Sequence, residues 1–369
     1  MNPSEHDQGL QSIPIGLGKG SLFLRLTAIG LVILGIAGLF AYTAGWLTPH
    51  VLTASRIVDR FEQVNGEHPG FRRNHAKGVC ISGYFESNGH GTTLSKAVVF
   101  LPGRVPVIGR FALAVGQPYA ADAERTVRSM ALLFKLPDGE EWRTGMNNIP
   151  VFAVNSAKGF YDLVLASAPD PATGKPDPAR MGVFLASHPE SARALQLIGS
   201  RSVSSGFADS AYNSLNAFRF INAQGTVLPV RWSMVPDQSS QPSAPALSRK
   251  SDTNSLFDVL IADLHRHAWQ WHLIITVGEP DDPTADATLP WPPNRQQVDV
   301  GILTIDHVES EDTSPARDIN FDPLVLPNGI AGSDDPLLSA RSATYAESFT
   351  RREGEPKEPS AVSNVETEK

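Results

Sequence analysis

The sequence predicts an α+β protein: an antiparallel β-barrel with helical inserts, preceded by one transmembrane helix. Three observations carry that prediction. A charge-free apolar run lies near the N-terminus. Most of the remaining chain consists of short apolar runs separated by clusters of Gly, Pro, Asn and Asp. Helix-like stretches interrupt those runs at only a few places, which suits an antiparallel barrel better than a parallel α/β sheet.

Residues 1–21 are polar and Gly-rich and read as a disordered cytoplasmic spacer. The stretch GLGKGS at 16–21 lacks the spacing and the preceding strand of a phosphate-binding loop. The segment 22–47 follows, and LTAIGLVILGIAGLFAYTAGWL (26–47) carries no charge. As a helix it would be roughly 33 Å long, enough to cross a bilayer core. Lys19 and Arg25 precede it, and the next basic residue is Arg56. That asymmetry predicts a single-pass protein with its N-terminus in the cytoplasm and the remaining chain periplasmic or otherwise extracytoplasmic. A cleaved signal peptide ending near Ala41 or Ala44 is the rival, but the apolar run exceeds a typical signal core. Ala37, Ala41 and Gly45 form a small-residue ladder of the kind that packs helices together.

A globular domain over 48–352 comes next. Val51, Ile57, Val58 and Phe61 recur at helical spacing within 51–68. Eight apolar runs then read as strands: 95–101, 105–115, 129–136, 149–154, 216–222, 225–232, 271–277 and 298–306. Helical inserts fall at 156–167, 189–199 and 252–267. A Ser/Pro-rich loop spans 236–250, and the charged, aperiodic residues 353–369 read as a disordered tail.

Composition narrows the function. With 369 residues and 41% hydrophobic content, the chain can bury a sizeable core. A net charge of −8 argues against a general nucleic-acid binder. Its one cysteine, Cys80, excludes an internal disulfide and a CxxC metal site, so any metal is held by N or O ligands or inside a cofactor.

Three stretches carry candidate chemistry. FRRNHAKGVCISGYFES (71–87) places His75 three residues after Arg72 and among Ala76, Gly78 and Gly83, small residues that let backbone or a flat ligand come close. TGMNNIPVF (144–152) presents Asn147 and Asn148, a pair that by itself most often makes a turn. In DDPLLSARSATYAESFTRR (334–352), a helix over 337–349 would make Arg341 and Tyr345 i, i+4 neighbours. A guanidinium beside a phenol favours the ionised form, and tyrosine is a known proximal haem ligand. Read locally, the pair fits an exposed cation–aromatic contact better. The histidines of DLHRHAWQWH (His265, His267, His272) read better as a basic helix C-terminus than as a metal cluster.

In this order and spacing, the three stretches resemble the haem catalase family over about residues 55–352. RRNHAKGVCISGYFE is similar to the distal segment, GRFALAVG (109–116) to the next strand and GMNNIPVF to the distal asparagine segment. NFDPLVLPNGIAGSDDPLLSARSATYAESFTRR (320–352) is similar to the proximal segment. The short chain and its N-terminal anchor look like the catalase-related peroxidases. The resemblance implies haem b as cofactor and Tyr345 as the iron ligand, with Arg341 as its partner. It implies His75 as the distal acid–base group and Asn147 as its hydrogen-bonding companion. Arg72, Arg110 and Arg352 would hold the haem propionates, and Phe152 and Phe160 would wall the haem. Three pocket positions depart from ordinary catalases: Asn74 and Ala114 stand where those have valine, and Ala112 where they have serine.

The activity so implied is reduction of hydrogen peroxide or organic hydroperoxides by an unidentified electron donor, with weak catalase activity, in oxidative-stress defence. A fatty-acid hydroperoxide isomerase or dehydratase on the same fold is the alternative, and a non-enzymatic haem-binding protein a further one. No nucleotide cofactor and no nucleic acid is expected. A homo-oligomer remains open.

Overall fold

Eight antiparallel strands close into a barrel in the computed structural model, which describes residues 19–43, 47, 51–123, 125–170, 172–237 and 253–362. Around the wall run β1 (Gly78–Ser87), β2 (Gly103–Leu113), β3 (Arg128–Lys135), β4 (Glu141–Asn147) and the short β5 (Tyr212–Asn213). The wall continues through β7 (Val227–Pro236), β8 (Trp269–Val277) and β9 (Gln297–Glu309), and β9 pairs with β1 to close it. Two further strands, β6 (Phe218–Ile221) and β10 (Ile330–Gly332), extend from β7.

Strand alternation decides where a site can lie. Met130, Leu132 and Phe134 of β3 and Trp142 and Met146 of β4 point one way and are buried. Phe134 stacks on Trp142 at 4.8 Å, and Phe111 of β2 meets Phe207, Tyr212, Trp269 and Trp271. Aromatic side chains therefore fill the interior. The opposite face of the same strands carries Arg110, Ala112, Ser129, Ala131, Gly145 and Asn147. Chemistry belongs on this outer face.

Helices α2 (Ala54–Asn65), α3 (Ala157–Ala166), α4 (Pro178–Ser187), α5 (Pro189–Ser200), α6 (Ser255–Leu264) and α7 (Pro336–Glu353) complete the barrel unit, which begins at Ala54. Helix α2 buries Ile57, Val58 and Phe61 of the predicted stripe, whereas Val51 precedes the helix and is exposed. Two ends show their caps clearly. Ser156 Oγ accepts from the Gly159 N–H at 3.1 Å, and Asp335 Oδ1 accepts from the Leu337 N–H at 2.9 Å. A separate unit holds α1 (Lys19–Thr43), whose stretch Gly20–Thr43 is long and apolar enough to span a membrane.

Several features differ from expectation, and β1, β4, β5 and β10 are strands outside the eight expected runs. Residues 95–101 form no strand: Ser95 Oγ accepts from the Ala97 N–H, and a single 3₁₀ turn spans Val98–Phe100. Their apolarity reflects burial of Phe100 against Trp142 and Phe220. Residues 149–154 also lie outside the ladders, with Phe152 N–H donating to Ala287 O at 2.8 Å; the strand ends earlier, at Asn147. Helix α4 was not anticipated, although Asp177 and Pro178 form a regular helix start. The tail is docked as far as residue 362. Glu355 pairs with Arg73, Ser360 N–H donates to Asp312, and Val362 is buried in the main core. Of the spacer expected over 1–21, residues 19–21 instead begin α1, and 1–18 lie outside the described residues, as does most of the Ser/Pro loop.

Candidate active site

Each residue of the His-Ala-Lys-Gly stretch has its own physical reason. His75 adopts a left-handed backbone (φ 56°), a strained state for a side chain with a Cβ. Its main chain is pinned at both ends: Asn74 Oδ1 accepts from the His75 N–H at 3.0 Å, and Arg110 Nη1 donates to His75 O at 2.6 Å. Ala76 N–H bonds Val115 O at 2.8 Å. Lys77 is fully buried, with Nζ donating to Asp122 Oδ1 at 2.7 Å and to the carbonyls of Ala120 and Thr253. A side chain at Gly78 would collide with Arg110 Cζ at 2.6 Å, so the glycine makes room for the guanidinium that holds the histidine. Gly83 likewise admits the backbone of β9, with Thr304 O 2.0 Å from where a Cβ would sit. Both glycines serve protein packing, so the alternative of a closely approaching flat ligand falls away at these positions.

The imidazole of His75 meets two other strands. Its Nδ1 lies 2.9 Å from Ser129 Oγ on β3, and that hydroxyl donates to Asn147 Oδ1 on β4. The register explains the meeting, because Ala112, Ser129 and Asn147 lie directly opposite one another on successive strands. Asn148, in contrast, serves the fold. Its Oδ1 accepts from the Arg128 N–H at 2.8 Å and locks the end of β4 against β3. Burial, then the positive charges of Arg110, Arg341 and Arg72, push the His75 pKa down to about 3, so the ring is neutral at physiological pH.

Arg72, Arg110 and Arg352 gather around one buried carboxylate, Glu311. Arg110 Nε donates to Glu311 Oε1 at 2.5 Å, and Arg72 Nη1 lies 3.5 Å from the same oxygen. Arg72 Nη2 also donates to Ile319 O at 2.9 Å, and Arg352 Nη1 to Arg317 O at 2.8 Å. The pKa values of Arg72 and Arg352 both fall, first through burial, and then through repulsion from Arg352 and Arg110 on Arg72 and from Arg110 on Arg352. Arg352 Nε is buried without a hydrogen-bond partner.

On the other side, α7 presents Arg341 and Tyr345 as the i, i+4 reading requires. Arg341 Cζ sits 5.9 Å from the Tyr345 ring centroid, and its Nη2 donates to Gly145 O at 3.3 Å. A Cβ at Gly145 would lie 3.5 Å from the Tyr345 hydroxyl, which brings the phenol against β4 two residues before Asn147. Arg341 Nη1 also donates to Asn216 Oδ1, whose Nδ2 donates to Asp335 Oδ2 at 2.7 Å. Asp335 is the N-cap of α7, so the same carboxylate that starts the helix also steers its arginine.

Phe152 and Phe160 stack on each other at 5.7 Å, and Phe160 meets Phe61 edge-on; no described contact joins them to His75 or Tyr345. His265 is the C-cap of α6, while His272 Nδ1 bonds Asp299 on β9 at 2.6 Å; the described residues contain no metal-holding cluster. Cys80 is buried, and loss of hydration pushes its thiol up to about 12. Sequence reading missed Ser129, Asn216, Glu311 and Asp335. Only Asp335 carried a local signal, as an Asp immediately before Pro at a helix start.

The catalase family model matches residues 40–359. A catalase-related peroxidase of Synechococcus elongatus is 36% identical over 330 residues, covering 89% of this chain and 97% of that protein. Another, from Mycolicibacterium paratuberculosis, is 31% identical over 304 residues, covering 82% and 96%. Among solved structures, a fungal catalase superposes with a TM-score of 0.69 at 20% identity, over 81% of this chain but only 62% of the catalase. Catalase A from Saccharomyces cerevisiae gives 0.69 at 20% identity, with 80% and 64% covered. The His75–Asn147 pair, the arginine cluster and the Tyr345 helix thus sit on the fold of their relatives, and this chain belongs to the catalase family.

Proposed function

We propose that the chain is a haem b peroxidase that reduces hydrogen peroxide or organic hydroperoxides with electrons from a separate donor, and dismutates hydrogen peroxide only weakly. The observation that carries this reading is the pairing of two groups on one strip of barrel wall. His75, Ser129 and Asn147 are hydrogen-bonded together at one end, and the Tyr345 hydroxyl lies against Gly145 at the other.

The residues present fit a haem. Ala112, Ala131 and Gly145 share the outer face of the wall, and such small side chains leave a flat surface for a planar ring. Arg72 and Arg110 share the one buried carboxylate of Glu311, Arg352 lies beside them with its Nε unpartnered, and this cluster of positive charge suits two propionates. Tyr345 would bind the iron through its oxygen, and Arg72 and Arg352 would take the propionates. Arg110 contributes mainly from behind, since it already donates to Glu311, His75 O and Ala76 O. Phe152 and Phe160, stacked on each other, would wall the haem. Bound haem would supply the redox-active iron that accepts the oxidising equivalents of the peroxide.

The chain's own groups then handle the protons. Neutral His75 accepts a proton from the incoming peroxide and returns it to the departing oxygen. Asn147 donates a hydrogen bond to the peroxide and stabilises the charge that develops. Two electrons and two protons, supplied by the donor and solvent, complete reduction of the O–O bond, giving two waters, or one water and an alcohol. Asn74, the polar neighbour of His75 that would favour an isomerase, has its amide oxygen committed to the backbone N–H of His75. Helix α1 would anchor the enzyme, with Lys19 and Arg25 holding the N-terminus in the cytoplasm. A reporter fused after Lys369 should then be active outside the cytoplasm, and activity only inside would reverse that topology.

Product analysis tests the activity. Haem-loaded protein given an organic hydroperoxide and a phenolic donor should yield the alcohol and oxidised donor. An epoxide or ketol, with donor untouched, would instead establish the isomerase.

A further inference from the structure

We propose that Ser129 is the positioning residue of this site, a single hydroxyl that sets both the tautomer of His75 and the amide orientation of Asn147; the inference builds on the peroxidase reading. Ser129 Oγ is the one described hydrogen-bond partner of the imidazole, at 2.9 Å from Nδ1, and it also bonds Asn147 Oδ1. A hydroxyl has one proton to give, and an amide oxygen can only accept. The proton of Ser129 therefore points to Asn147. Nδ1 of His75 must carry its own proton and donate it to Ser129 Oγ, which leaves the lone pair on Nε2. An imidazole that is to accept a proton at Nε2 needs that tautomer. With Oδ1 occupied, Asn147 turns its N–H donors to whatever enters, as stabilisation of negative charge requires.

Ser129 occupies the one rung from which both contacts can be made. It lies directly opposite Ala112 on one side and Asn147 on the other. Side chains directly opposed in an antiparallel pair have Cβ atoms about 4.5–5.5 Å apart. A hydroxyl at Ala112 would stand two strands from Asn147, roughly 9–10 Å away, and could serve His75 alone. Placed on β3 it reaches both. The main chain of His75 is already held at its N–H by Asn74 and at its carbonyl by Arg110, so Ser129 supplies the remaining constraint, on the ring.

The test has two arms. In the full chain in detergent, labelled with ¹⁵N-histidine and before haem is added, imidazole nitrogen shifts report the tautomer, and His75→Gln identifies the signal. Wild type and Ser129→Thr should show Nδ1 protonated and Nε2 bare, and Ser129→Ala a mixture of tautomers. In the haem-loaded chain, Ser129→Ala should slow hydrogen peroxide cleavage by about tenfold to a hundredfold, part of the roughly 10²–10⁴ assigned to an acid–base group. Haem content should stay constant, and Ser129→Thr should run close to wild type. A wild-type proton on Nε2, or an unchanged tautomer in Ser129→Ala, overturns the proposal. So does a threonine variant as slow as alanine, because packing and not the hydroxyl would then be the cause. Failure to take up haem would overturn the peroxidase reading instead and leave the tautomer arm to decide on Ser129.

Discussion

The two sides of the site are held by different kinds of structure. On the His75 side, a strained loop, β3 and β4 each contribute one group, and a shared rung of the sheet brings them together. On the Tyr345 side, one regular helix carries both Arg341 and Tyr345, and a buried chain through Asn216 returns to the cap of the same helix. The first arrangement depends on register between distant segments. The second depends mainly on local periodicity, with one long-range tie. A site assembled across a sheet is therefore sensitive to single hydroxyl and amide groups, whereas a helix-borne site is sensitive to the ligand itself.

Mutations can break this contrast from the largest effect downward. His75→Ala should retain haem yet lose peroxide cleavage by roughly 10²–10⁴; stopped-flow kinetics at equal haem content measures it. Tyr345→Phe should do the reverse and lose haem, by at least about tenfold in retained cofactor, since tyrosine would be the iron's protein ligand. Absorbance after gel filtration reports the loss. An His75→Ala variant lacking haem, or a Tyr345→Phe variant that keeps it, would erase the division between the sides. Asn216→Leu should be milder. It leaves the buried Asp335 carboxylate, already shifted upward by burial, without its amide partner, and should cost about 1–3 kcal/mol in urea unfolding.

The smallest effect is a pH dependence. Because the His75 pKa is lowered to about 3, the ring stays neutral in the folded chain where an ordinary imidazole would charge near 6.5. The cleavage rate should show no imidazole step between pH 7 and 5. Stability carries the matching sign. Between about 3 and 6.5 the unfolded chain binds a proton that the folded one does not, so stability is full above 6.5 and falls as pH drops. In His75→Gln that slope should flatten.

What could be read from sequence follows the same division. That Arg341 and Tyr345 adjoin was legible because 3.6-residue periodicity puts i and i+4 together, while their role rests on the family resemblance. His75 and Asn147 were legible only through the order of three stretches and their family resemblance, since a lone histidine and an Asn pair say little. Ser129 left no local trace: a serine in a strand is ordinary, and its importance appears only when β3 pairs in register with Ala112 and Asn147. Glu311 and Asn216 escaped for the same reason, as both act across some 125 residues or more. Residues 95–101 misled because an apolar run reports burial, whichever backbone shape achieves it. The tail misled because its charges, read as solvated, are spent on partners such as Arg73.

The central claim is that peroxide is cleaved on the strip between His75 and Tyr345 and reduced by an outside donor. Its most direct test is the ratio of donor oxidised to oxygen released, measured together for haem-loaded protein supplied with hydrogen peroxide and a phenol. The account predicts close to two one-electron donor oxidations for each peroxide consumed, little oxygen, and loss of both in His75→Ala. Oxygen release at one molecule per two peroxides with the donor intact, or donor oxidation undiminished in His75→Ala, would contradict it.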